Sequence, residues 1–225
     1  MKKTFIIACL LFACGVTFGQ IAEKQTYLSD FKEEMKKKWP TNRTLNIVFH
    51  GHSVPSGYFH GGVVNTMQAY PHLTFHGIKA QYPFTVLNVI TTSIGGEQAE
   101  QGEKRFSDEV LTHRPDVLFI DYALNDRSIG LERSEKAWRK MIEKALEQNI
   151  KIVLLTPTPD LKEDITDANA PLEAHAEMIR RLASEYHVGL VDSYLLFQKK
   201  AKEGEEIKRY MLSLIHISEP TRLDV

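Results

Sequence analysis

After an apolar leader, short hydrophobic runs alternate with longer amphipathic stretches along the whole chain. The runs Leu45–His50, Phe84–Ile90, Val117–Tyr122, Lys151–Thr156 and Val188–Val191 have the length of buried strands. Between them the apolar positions recur at helical spacing. Residues 132 to 148 carry the clearest such stretch, with Trp138, Met141, Ile142 and Ala145 at i, i+3, i+4 and i+7, one apolar stripe on one helix face. Leu172, Ala176, Ile179, Ala183 and Tyr186 mark another helix, and residues 26 to 38, 66 to 80, 98 to 112 and most of 193 to 210 read as helical. Trp39-Pro40 stops the first of these. Five strands alternating with helices predict a parallel five-stranded sheet covered on both faces, an α/β class. In such sheets the ligand site lies beyond the carboxyl ends of the strands, so the residues that follow each strand are where chemistry is expected.

The leader changes the picture of location. Lys2 and Lys3 precede an almost wholly apolar stretch from Thr4 to Phe18, and Thr17-Phe18-Gly19 puts small residues at the positions that precede a cleavage before Gln20. That is the form of a secretory signal over residues 1–19, too short for a membrane span. Leu11-Phe12-Ala13-Cys14 offers a second reading, a lipoprotein anchored at Cys14. The two cysteines, Cys9 and Cys14, both lie in this segment. An exported domain starting at Gln20 therefore has no disulfide, no thiol nucleophile and no cysteine metal ligand. The charge is balanced, with 28 basic and 29 acidic residues. No basic stripe points to nucleic acid, and a small or neutral substrate fits best.

Gly51-His52-Ser53 follows the first strand, Ser93-Ile94-Gly95-Gly96-Glu97 the second, Ala123-Leu124-Asn125-Asp126 the third and Pro157-Thr158-Pro159 the fourth. A serine, a glycine-rich backbone and an asparagine amide thus arrive at one rim. Acyl transfer needs that set: a hydroxyl nucleophile, which requires a nearby base, and donors aimed at the oxyanion of the tetrahedral intermediate. Ser53 N–H, a glycine N–H and the Asn125 amide would be three such donors. Taken singly, Ser53 reads as a helix cap or turn residue, and Asn125-Asp126 as a turn pair, Asp126 being a turn residue or the cap of the following segment. Glu97 and Glu100 read as acids in a helix first turn, and Asp192 as the cap of the helix that begins at Ser193. His50, His52 and His60 lack a partner at metal-ligand spacing, so neither a metal nor another cofactor is expected. The remaining histidines read as surface or satisfied core residues, and the Lys36 to Lys38 run as a solvated helix face.

Phe49-His50-Gly51-His52-Ser53-Val54, Ile94-Gly95-Gly96-Glu97 and Ala123-Leu124-Asn125-Asp126 resemble, in order and spacing, the first three blocks of the SGNH/GDSL hydrolases. The resemblance spans about residues 45 to 210. It implies a flavodoxin-like three-layer α/β/α sandwich. It also implies an ester hydrolase in which Ser53 is the nucleophile and Gly96 and Asn125 complete the oxyanion hole, with an acyl group on a carbohydrate as the family-level expectation for the substrate. A non-catalytic glycan-binding module on the same scaffold is the alternative. His52 stands where the family has an aspartate that organises the loop. The family's last block, Asp-x-x-His-Pro-like, supplies the base and its carboxylate, and the position nearest to it here is His216, with Ser213 where the acid is expected and no proline after it. Residues 212 to 222 resemble a translated sequencing adapter, so the expected organisation is a signal at 1–19, a C-terminally truncated hydrolase-like domain at 20–211 and a foreign tail at 212–225. On that reading His216 is an accidental base, a closing C-terminal helix is missing, and the chain as written is expected to be a poor catalyst.

Overall fold

A computed structural model describes residues 20–211; the expected signal over 1–19, Cys14, the expected foreign tail over 212–225 and His216 lie outside the described residues. The strands β1 (Thr44–Gly51), β2 (Val86–Thr91), β3 (Val117–Asp121), β4 (Lys151–Leu155) and β5 (Gly189–Val191) form one sheet in the order β2-β1-β3-β4-β5. Every pairing is parallel. This is the flavodoxin-like order, with its switch point at β1, where the first connection runs to one side and the next to the other. β1 is an interior strand, buried on both faces from Ile47 to Gly51 and apolar except for His50, as a strand covered on both sides must be.

The helices are α1 (Ser29–Lys36), α2 (Ser53–Ser56), α3 (Tyr70–Gln81), α4 (Ala99–Glu109), α5 (Ala123–Asp126), α6 (Leu131–Leu146), α7 (Pro171–Glu185) and α8 (Ser193–Lys202). The stripe on α6 is fully buried: Trp138, Met141, Ile142 and Ala145 pack with Phe106 of α4, Ile179 and Leu182 of α7, and Leu118, Ile120, Ile152 and Leu154 of the sheet. The opposite sheet face packs Leu45, Ile47, Phe49, Val153 and Leu155 against Phe31 and Met35 of α1, Tyr70 of α3, and Tyr194 and Phe197 of α8. On this second face an apolar groove is lined by Tyr27, Leu28, Phe119, Val153 and Leu190, open among the described residues.

Two helix boundaries differ from expectation by four residues or more. The helix expected over 193 to 210 ends at Lys202, because Gly204 takes a left-handed conformation (φ 84°) and the chain resumes only as a 3-10 turn at Ile207–Tyr210. The helix expected from residue 66 starts at Tyr70, with Pro71 in its first turn, where proline is accepted because that N–H has no partner. The short helices α2 and α5, one turn each, lie at the carboxyl ends of β1 and β3.

Candidate active site

The three loops that carry Ser53, Gly96 and Asn125 leave adjacent strands β1, β2 and β3 at the same end, and hydrogen bonds tie them together. Ile94 N–H donates to Gly51 O (3.1 Å), Ser56 Oγ donates to Ser93 O (3.1 Å), and Asn125 Nδ2 donates to Glu97 O (2.9 Å). An amide nitrogen carries two hydrogens, so this bond fixes the Asn125 side chain and leaves one N–H to point elsewhere. Gly96 has φ 78° with open space where a Cβ would lie, so backbone conformation selects glycine there.

Ser53 opens α2 and is 6% exposed. Its neighbour His52 is fully buried and caps this turn: Nδ1 accepts from Val54 N–H (3.3 Å) and lies 3.4 Å from Ser53 Oγ. The other ring nitrogen, Nε2, lies 3.6 Å from Asp121 Oδ1 at the end of β3. Asp121 is 1% exposed and accepts from Tyr70 Oη–H through Oδ2 (3.0 Å). This close approach of β1 to β3 requires Gly51, since a Cβ there would stand 2.4 Å from Asp121 O.

Two further groups hold the rim from beneath, and sequence reasoning misassigned both. Glu97 precedes α4 rather than sitting in its first turn. It is buried and accepts from Arg105 Nε (2.8 Å) and from Tyr122 Oη–H (2.7 Å). Tyr122 Oη lies 3.1 Å from His50 Nε2, and His50 Nδ1 lies 2.9 Å from Thr92 Oγ1. Burial, with the Arg105 cation beside it, drives the His50 pKa down to about 3, so the ring is neutral. Burial, then the Glu97 carboxylate, pushes the Tyr122 phenol up, which keeps it an O–H donor. Asp126 is not a surface turn residue and caps backward, not forward. It is fully buried and accepts from Ala99 N–H at the start of α4 (2.7 Å), Ser134 Oγ–H (2.6 Å) and Trp138 Nε1–H (2.9 Å). Burial raises its carboxyl, against the pull of these three bonds. Glu100 does sit in the first turn of α4, and Asp192 does cap α8, accepting from Leu195 N–H (3.1 Å). His175 is a core residue whose Nδ1 has no partner among the described residues.

The lip beside Ser53 is apolar and exposed. Phe59, Val63 and Val64 stand on the loop after α2, and Ile94 stands on the facing turn. Tyr58 joins the two, bridging to Val64 and packing its ring on Gly95. Among the described residues no three histidine, cysteine or acidic side chains converge as a metal site, and no helix is long and apolar enough to cross a membrane.

The family model described as GDSL-like lipase/acylhydrolase matches residues 49–219. No curated protein sequence matches the chain. Among solved structures, a two-domain esterase active on acetylated mannans superposes with TM-score 0.68 at 18% identity over 88% of this chain. The chain spans half of that protein's length. An acetyl xylan esterase superposes with TM-score 0.64 at 22% identity, over 80% of this chain and 96% of its own. An acetylxylan esterase from Geobacillus stearothermophilus superposes with TM-score 0.67 at 16% identity, over 84% and 91%; its solved forms include catalytic mutants at a histidine and at a serine. At these identities the likeness is one of fold.

Proposed function

This chain belongs to the GDSL-like lipase/acylhydrolase family of serine ester hydrolases, and from that premise we propose that it removes acetyl-type groups from a carbohydrate, with Ser53 as the nucleophile. In this reading Ser53 Oγ attacks the ester carbon. Ser53 N–H, Gly96 N–H and the free N–H of Asn125 Nδ2 receive the oxyanion, the sugar alcohol leaves with the Ser53 proton, and water then cleaves the acyl–Ser53 ester to release the acid and restore the hydroxyl. The observation that carries it is the Asn125–Glu97 hydrogen bond, which locks the amide and the glycine turn into one unit on the rim where Ser53 opens its helix. Donors fixed before the reaction cost no reorganisation when charge develops. The exposed strip of Phe59, Val63, Val64 and Ile94 offers an apolar platform for a sugar face or a short acyl chain. The acetylated mannan and xylan substrates of the similar structures support the carbohydrate, and the apolar leader supports action outside the cytoplasm.

The test compares p-nitrophenyl acetate, butyrate and octanoate, and acetate release from acetylated xylan and mannan, for the chain and for Ser53→Ala. The expected result is preference for acetate and loss of at least a hundredfold in Ser53→Ala. Activity that survives the substitution excludes Ser53, and a preference for octanoate excludes the carbohydrate reading.

A further inference from the structure

Two of the donors assigned to the oxyanion hang on one turn. Glu97 N–H donates to Ile94 O (3.3 Å), closing a β-turn whose third residue, Gly96, has the left-handed φ of 78° that a type II turn requires there. Glu97 O accepts from Asn125 Nδ2 (2.9 Å). The backbone of residue 97 therefore sets Gly96 on one side and the Asn125 amide on the other.

A single guanidinium holds that backbone. Arg105 of α4 donates through Nε to Glu97 Oε1 (2.8 Å) and through Nη2 to Thr92 O (2.6 Å), just after β2. Nη2 also reaches Glu97 Oε2. One planar fork thus grips both ends of the segment from Thr92 to Glu97. The side chains of Arg105 and Glu97 are buried. Tyr122 Oη–H donates to Glu97 Oε2 (2.7 Å). His50 Nε2 lies 3.3 Å from Gly102 O, which can only accept, so the ring hydrogen is on Nε2 and Nδ1 accepts from Thr92 Oγ1–H (2.9 Å). Groups on β1, after β3 and on α4 thereby reference the turn to the core of the sheet.

We propose that Arg105 is a positioning residue for ester hydrolysis: it holds the Gly96 turn and, through Glu97 O, the Asn125 amide at the spacing the oxyanion needs. The inference rests on Gly96 and Asn125 being oxyanion donors. A buried ion pair is by itself weak evidence of stability, because desolvation offsets much of its attraction. The fork supplies geometry instead. A lysine ammonium is a compact point charge on a flexible stem and does not reproduce a planar grip on a carbonyl and a carboxylate together. Geometry is what the donors need, since a misplacement of about 1 Å costs roughly a hundredfold in rate. Arg105 also lines a surface cleft of about 480 Å³ with Thr92, Asp108 and Thr112, which gives a small cation a route to its place once the side chain is removed.

The experiment compares the full chain with Arg105→Lys, Arg105→Ala, Glu109→Gln and Asn125→Ala. It reads kcat and KM on p-nitrophenyl acetate, the melting temperature, and the Asn125 side-chain amide pair in a ¹H–¹⁵N spectrum. An oxyanion hole alone sustains roughly a thousandfold catalysis over water, so the comparison does not depend on which residue is the base. Arg105→Lys keeps a cation beside Glu97 and leaves no orphaned charge. Its kcat is expected to fall about tenfold or more, with KM within twofold of the parent and the Asn125 pair shifted. Arg105→Ala is expected to fall roughly a hundredfold and to regain most of that loss in guanidinium chloride far below the concentration that unfolds the chain. Glu109→Gln removes only the exposed partner of the same guanidinium and should keep kcat within twofold. A parent no faster than buffer, or an Asn125→Ala variant at the parent's kcat, overturns the oxyanion reading and this proposal together. With Asn125→Ala impaired, an Arg105→Lys variant that has the parent's kcat or an unmoved Asn125 pair overturns only the positioning role and leaves a structural ion pair. A raised KM at unchanged kcat, or losses that follow a lowered melt with no recovery in guanidinium, overturn it as well.

Discussion

The fold should lose stability in mildly acidic solution because of two buried histidines, His50 and His175, that make no ion pair among the described residues. His50 is fully buried and its pKa is driven down to about 3 by burial and by Arg105. His175 is buried and driven down to about 4 by burial, then Arg127. Both start from 6.5 in the unfolded chain. A histidine whose folded pKa is depressed contributes stability that is fully present above the unfolded value and is lost as pH falls toward the folded one. Between pH 7 and 5 the unfolded chain takes up a proton at each site and the folded chain takes up almost none. At about 1.4 kcal/mol per pH unit per proton, each histidine removes about 2 kcal/mol over that interval, about 4 kcal/mol for the pair. The figure depends on the unfolded value alone while the folded one stays at or below 4. Against a domain stability of about 5–15 kcal/mol the effect is large. Urea unfolding at pH 7, 6 and 5 reads it directly. His50→Gln is expected to be weaker at pH 7, having lost its fit to Thr92 and Tyr122, yet about 2 kcal/mol flatter between pH 7 and 5. A parent whose stability changes by less than about 0.5 kcal/mol over that interval refutes the reasoning, as does a His50→Gln variant with the parent's slope.

Asp126→Ala should remove about 3–6 kcal/mol by orphaning three buried donors, Ala99 N–H, Ser134 Oγ and Trp138 Nε1; a denaturant midpoint within error of the parent's contradicts the network. Gly96→Ala imposes a left-handed residue at φ 78° at a cost of about 1–2 kcal/mol, a melting temperature lower by roughly 2–8 °C; kcat on p-nitrophenyl acetate, read below that melt, is expected to fall at least tenfold, and an unchanged kcat removes Gly96 from the oxyanion site. Glu135 is held down to about 2 by Arg181 and then Arg139, so its contribution is present above its unfolded value of 4.5 and fades as pH falls toward 2. Glu135→Gln should therefore flatten the melting temperature below pH 4.5, and an acid limb identical to the parent's rules that clamp out.

The parallel sheet was legible because each strand is a short apolar run between amphipathic stretches, and the α6 stripe was legible because its four residues face one core. Ser53, Gly96 and Asn125 were picked out by position, each following a strand, and their loops do leave adjacent strands at one end of the sheet. The groups beneath them were not. Glu97 lies just before a helix and Asp126 in a turn pair ahead of another, and such acids in a linear sequence read as a turn residue, a cap or a favourable dipole partner. Their burial depends on Arg105, Tyr122, Ser134 and Trp138 arriving from other elements. His52 read only as a departure from the family's aspartate, because nothing local shows that β1 passes close enough to β3 to place Asp121 behind its ring. The helix end at Lys202 was available in principle: Gly204 is the signal, and the apolar positions beyond it masked it.

The hydrogen bond from Trp138 to Asp126 gives the chain an optical reporter of its own. It has two tryptophans. Trp39 is 85% exposed and precedes β1 at the end of the sheet remote from Ser53, while Trp138 is fully buried. Indole emission moves to shorter wavelengths in apolar surroundings, so the two differ in colour. In a Trp39→Phe background, fluorescence comes from one indole bonded to the residue next to Asn125. Ligand entering the rim, or acylation of the serine, then becomes visible as a change in emission without any added dye, on the millisecond scale of a stopped-flow instrument.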